Sequence, residues 1–225
     1  MILGKGLLAQ GNITGMNRAL GKVGFGNRSL SSSTADATQH CVLLVREKDY
    51  SSYLCGLLLE KSLKPHYFAV MAFNIETAII KDSLRGGVHA NTSPAKLRIS
   101  WWREAIEEVY DGMLSDQKRA QPVVAAVART IEDKRLTRRF FELMIDAREA
   151  DLALQQKVSV EDVEEYSEKT HASLLKLCLE VVDVRDDGSD HVASHLARGI
   201  GIANAIRSAE VRRGARSEAT SRVGG

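Results

Sequence analysis

No stretch of this 225-residue chain approaches the eighteen or so consecutive apolar residues that a membrane-spanning helix needs, which excludes a transmembrane helix but not a peripheral contact. Cysteine is equally scarce. Cys41, Cys55 and Cys178 are an odd set without CxxC spacing, and they read as reduced, buried small residues rather than as disulfides or metal ligands. Only three prolines interrupt the chain. No alternating strand pattern of useful length and no hairpin signal occurs, so the β classes are excluded as well. Acid is absent from the first thirty-five residues. Met1–Ala35 carries Lys5, Arg18, Lys22 and Arg28 and no carboxylate, while the remainder holds 27 cations against 29 acids. A basic, glycine- and hydroxyl-rich, acid-free start ending in Arg28-Ser-Leu-Ser-Ser-Ser-Thr34 has the composition of a mitochondrial transit peptide, and 1–35 is set apart from the fold on that ground.

What is present is helix after helix. With 44% apolar residues the chain can bury one sizeable core, and the expectation is a single all-α domain over 36–208. Residues 36–47 open it, and Asp49 to Leu54 mark a turn into the short segment Cys55–Leu59. Pro65 suits the first turn of the next helix, 65–84, where Phe68, Met71, Ala72, Ile75, Ile79 and Asp82 recur at helical spacing. A helix over 93–114 carries both tryptophans. The chain from Gln121-Pro122 presents Val123, Val124, Val127 and Ile131. Residues 136–156 turn Phe140, Phe141, Met144, Ile145 and Leu152 inward. Ser159 and Asp162 resemble a capping box opening a helix to Val182, and Asp190 can cap a last helix to Ser208. Beyond it, 209–225 is rich in Arg, Gly and Ser without apolar periodicity and reads as a disordered tail.

Several motifs, in order, resemble the squalene/phytoene synthase family. They are Asp49-Tyr50-x-x-Tyr53-Leu54, Ala72-Phe73-Asn74-x-Glu76, Arg98-x-x-Trp101-Trp102-Arg103, and the stretches Ile145–Leu152, Tyr166–Leu175 and His191–Arg207. The resemblance spans roughly 40–208 and is closest to the mitochondrial branch concerned with assembly of respiratory complex I (NADH:ubiquinone oxidoreductase). It implies an isoprenoid-synthase-like helical bundle. In catalytic members an Asp-rich helix reads Phe-Cys-Arg-x-x-Asp-Asp-x-x-Asp, and Mg²⁺ held by its carboxylates bridges a diphosphate. Laid on this chain, the Cys-Arg falls at Asn74-Ile75 and the first two aspartates at Ala78 and Ile79; only Asp82 survives. Alkyl groups cannot ligate Mg²⁺. The resemblance therefore implies a degenerate pseudo-enzyme with no catalytic residues, no metal site and no cofactor.

Family members continue well past Ser208, so the resemblance also implies a C-terminally truncated form that leaves apolar surface on its remaining helices. The candidate pocket residues, on the degenerate helix and those facing it, are Asn74, Glu76, Asp82, Arg98, Trp101, Trp102, Tyr166 and Arg207. Each has a plainer reading. Trp101-Trp102 reads first as core. Arg98 and Arg103 read as solvated or intrahelical partners of Glu104 and Glu107, with a basic rim around a diphosphate as the alternative. His191 and His195 share a helix face but lack a third ligand.

Two functions follow from the resemblance. One is a non-catalytic factor on the matrix side of the mitochondrial inner membrane, acting at an early membrane-arm stage. Its implied partners are complex I assembly intermediates or membrane-arm subunits, with a peripheral inner-membrane contact and no nucleic acid. The alternative is a Mg-dependent prenyl diphosphate transferase that finds ligands elsewhere, such as Asp82 with Asp146 or Glu149.

Overall fold

A computed structural model describes residues 30–82, 93–153 and 159–223, with side chains described over 35–81, 94–152 and 159–208. Residues 1–29 of the expected leader lie outside the described residues. Among the described residues the elements are α1 (Leu30–Lys48), α2 (Tyr50–Leu58), α3 (Lys64–Asp82), α4 (Ser93–Tyr110), α5 (Asp116–Arg119), α6 (Pro122–Lys134), α7 (Arg138–Ala153), α8 (Val160–Ser167), a π segment (Glu168–Ala172), α9 (Ser173–Val181) and α10 (Asp187–Val223), with no strand. The all-α expectation holds.

The bundle is built around α3. Six helices pack on it: α1, α2, α4, α6, α7 and α9. That environment explains a difference from the one-faced pattern read in the sequence. Every residue from Phe68 to Phe73 is buried, and so are Ile75, Thr77 and Ile80. A helix apolar all round is buried all round. Phe73 takes two aromatic neighbours edge-on, Trp102 of α4 at 5.4 Å and Phe141 of α7 at 5.1 Å. Such pairs add about 0.5–1.5 kcal/mol each beyond area burial.

The helix boundaries follow from their caps. Asp49 is buried and accepts from Ser52 N at 3.1 Å and Ser52 Oγ at 2.7 Å, so α2 begins at Tyr50 where the sequence suggested a turn. Gly56 lets α2 lie close on α3: a Cβ there would stand 2.5 Å from Phe68 Cζ and 2.9 Å from Tyr67 Cε1. Ser159 and Asp162 do form the expected capping box, with both bonds at 3.1 Å. The helix they open reaches Val181 as foreseen, but through the π segment, which periodicity did not reveal.

The cap of α10 differs from the expectation. Asp186, not Asp190, accepts from Ser189 N and Oγ at 2.9 and 2.8 Å, and the helix starts at Asp187. Its backbone continues to Val223 rather than ending at Ser208. Residues 209–223 are mostly Ala, Arg, Glu and Ser, whose helix propensities carry the backbone on without an apolar face. Val192, Leu196, Ile200 and Ile206 of α10 are exposed.

The cysteines divide. Cys41 is buried, and burial pushes the thiols of Cys41 and Cys178 up to about 12. Cys55 is exposed, against the expectation that all three are buried.

Candidate functional site

The inward stripe of α7 contains one residue that does not match its neighbours. Phe141, Met144, Ile145 and Leu152 are buried, and Arg148, three and four positions from its neighbours on that stripe, is buried with them. Its guanidinium crosses to α3, donating Nη2 to Asn74 Oδ1 and Nη1 to Thr77 Oγ1. Thr77 Oγ1 in turn donates to the Phe73 carbonyl at 2.8 Å. Burial pulls the Arg148 pKa down, while the Tyr166 phenol of α8, through charge and a hydrogen bond, and the Asp151 carboxylate oppose the shift. Asp151 also pairs with Lys81 at 2.8 Å, one turn beyond Thr77 on α3. The result is a polar layer of Asn74, Thr77, Lys81, Arg148, Asp151 and Tyr166 closing α3, α7 and α8 over one another.

A second polar track joins it from α10. Arg207 donates to Asn204 Oδ1, Asn204 Nδ2 lies 3.4 Å from His171 Nε2, and His171 Nδ1 lies 3.2 Å from Thr170 Oγ1. Thr170 Oγ1 donates to the Tyr166 carbonyl at 2.7 Å. The amide can only donate to His171 Nε2, so the ring fits as the neutral Nδ1–H tautomer. Burial and the charge of Arg148 push His171 down to about 3.

The eight pocket candidates therefore separate. Asn74, Tyr166 and Arg207 lie on this connected polar system. Glu76 does not: it faces Arg98 of α4 at 3.9 Å, and its charge helps raise the Cys41 thiol. Trp102 is core against Phe73, and Trp101 is half-buried, edge-on to Trp102 at 5.2 Å. The side chain of Asp82 lies outside the described residues.

Arg98 and Arg103 are neither free nor paired within α4. Arg103 bridges to α7, donating to Asp146 at 2.6 Å and Glu149 at 2.7 Å. This engagement also occupies the two carboxylates that the transferase alternative would enlist as metal ligands. Among the described residues no group of three His, Cys, Asp or Glu side chains is arranged to hold a metal ion. His191 and His195 face each other at 3.0 Å on the exposed side of α10. A hollow of about 250 Å³ near Thr137 and Asp190 is lined by four carboxylates, of which Glu180 accepts from Thr137 N and Arg185 and Asp186 caps α10.

Arg148, Thr77, Lys81, Asp151, His171 and Asn204 were not among the candidates. One signal was available. An arginine in phase with Met144, Ile145 and Leu152 on an apolar stripe has to find buried acceptors, and Asn74 and Thr77 are among the polar residues of the facing helix.

A sequence profile of the squalene/phytoene synthase family matches residues 45–218. The chain belongs to that family. Named relatives include NADH dehydrogenase (ubiquinone) complex I assembly factor 6 of Bos taurus, 34% identical over 169 residues, and its Drosophila melanogaster homolog, 36% identical over 174. These alignments cover 75% and 76% of this chain but 48% and 50% of the relatives, so the chain spans about half their length. The fold is that of a squalene synthase from Alicyclobacillus acidocaldarius, with a TM-score of 0.64 at 18% identity over 77% of this chain and 61% of the other. The family match runs ten residues past Ser208, where the sequence reading ended its resemblance.

Proposed function

We propose that this chain is a non-catalytic factor in the assembly of respiratory complex I. It works in mitochondria, on the matrix side of the inner membrane, at an early membrane-arm stage. It engages assembly intermediates or membrane-arm subunits and makes a peripheral contact with the bilayer. No cofactor is required. The relatives named as complex I assembly factors support the role.

The observation that carries the non-catalytic part is the floor of the bundle. Ala78 and Ile79 stand where the family's enzymes place metal carboxylates, and the neighbouring polar positions Asn74 and Thr77 are held by Arg148. A guanidinium fixed across α3 and α7 places positive charge where a transferase needs to gather Mg²⁺. A floor closed in this way suits a binding surface rather than a site that ionises a diphosphate.

The test is rescue. Cells lacking the endogenous factor would receive this chain, or this chain extended by the second half of a curated relative, and complex I would be followed on native gels. Rescue by either supports the proposal. Rescue by neither, with both proteins imported and folded, contradicts it.

A further inference from the structure

α2 is a nine-residue helix with an apolar face on each side. One side is packed: Gly56 lies against Phe68 and Tyr67, and the Tyr53 ring meets Phe68 in a tilted pair at 6.1 Å. The other side carries Tyr50, Leu54, Leu57 and Leu58, at i, i+4, i+7 and i+8, and all four are exposed. Leu58 is 88% exposed, so this side chain stands clear of the protein. Four large apolar side chains on one arc are more than the scattered single hydrophobics of an ordinary surface.

The ends of this helix carry a small excess of positive charge. Arg46 and Lys48 close α1, Lys61 lies in the turn before α3, and Lys64 opens α3. The nearby acids are Glu47, Glu60 and Asp49, the last buried in the α2 cap. Lys48 pairs with Glu47 at 2.6 Å, and Lys64 Nζ donates to the Leu57 carbonyl at 2.8 Å, capping the helix end. Arg46 lies 5.8 Å from the Tyr53 ring. Arg46 and Lys61 are exposed.

We infer that this face of α2 docks on a bilayer bearing anionic headgroups. Leu54, Leu57 and Leu58 enter the acyl boundary, Tyr50 sits at headgroup level, and the exposed Arg46 and Lys61 meet the lipid phosphates. A fluid acyl phase accepts a protruding leucine without a preformed pocket. A folded protein partner would need a cavity shaped to Leu58. The inference rests on the peripheral membrane contact proposed above and gives that contact a place.

Vesicle flotation of the full chain tests it. The vesicles are phosphatidylcholine alone, or with roughly one-third phosphatidylglycerol to supply anionic charge. Cys55, exposed on the same helix, takes an environment-sensitive dye ahead of buried Cys41 and half-buried Cys178, whose thiols burial pushes up to about 12. The chain floats with anionic vesicles and the dye emission shifts to the blue. Leu54→Gln/Leu58→Gln weakens flotation by about tenfold or more. Arg46→Glu/Lys61→Glu removes the preference for anionic vesicles. All four substitutions fall at exposed positions, and matched thermal melts confirm that the variants fold.

Equal flotation of the leucine variant overturns the inference. Flotation with an unshifted dye does so too, because it places the contact elsewhere. Absence of flotation overturns it as well and leaves α2 as a surface for a protein. None of these outcomes touches the rescue of complex I, so the assembly role stands or falls separately.

Discussion

Arg148 on α7 donates to Asn74 on α3 across 74 residues of chain, and with its other nitrogen reaches Thr77, one turn further along the same helix. One side chain thereby ties the central helix to its neighbour in the turn just before Ala78 and Ile79.

Removing that guanidinium leaves acceptors facing a dry interior. Arg148→Met, which keeps the aliphatic stem, is expected to cost roughly 3 kcal/mol, the range for breaking one side of a buried charged network. Urea unfolding measures it. A loss under about 1 kcal/mol would mean that the layer is solvated and exchangeable.

Arg103 offers the contrast. It makes two ion pairs, to Asp146 and Glu149, but its partners are 53% and 43% exposed. Water screens such pairs, so Arg103→Met is expected to cost about 1 kcal/mol or less, and less still in high salt. The same urea titrations, at low and high ionic strength, compare the two arginines.

His171 predicts a pH dependence. Its folded pKa, about 3, lies below the ordinary 6.5, so the unfolded chain binds the proton more readily. The contribution is fully present above about 6.5 and is lost as pH falls towards 3. Stability should decline across that window, and His171→Gln should flatten the decline. His66, also lowered by burial, contributes to the same slope, so the check is the difference between variant and parent rather than the parent curve.

Gly201 marks where α10 crosses α8. A Cβ there would collide with the Ser167 side chain, 2.6 Å from its Cβ. Gly201→Ala is expected to destabilise by about 1–3 kcal/mol through overpacking, read as a lower melting temperature. Gly199, two residues earlier, has open space around it, and Gly199→Ala should not destabilise.

Periodicity and turn chemistry showed most of the helices, because their information is local. Pro122 at the start of α6, the Ser159–Asp162 box and the inward stripe of α7 were all readable from neighbouring residues. The polar layer was not, because its partners are distant in sequence. Asn74 and Tyr166 stood out through the family motifs, but nothing local says that Arg148 joins them. Arg98 is solvated as read, but Arg103 was misread for the same reason: i, i+4 neighbours are visible in a sequence, and acids on a facing helix are not. The π segment was hidden because a single shifted turn leaves helical composition unchanged.

The measurement closest to the central claim is rescue of complex I by a chain stripped of the carboxylates left on α3, Glu76→Gln/Asp82→Asn. An assembly factor that does no metal-assisted chemistry should restore complex I on native gels as well as the unaltered chain does. Loss of rescue by a folded, imported variant, accompanied by Mg²⁺-dependent turnover of a prenyl diphosphate in the unaltered protein, would contradict the account.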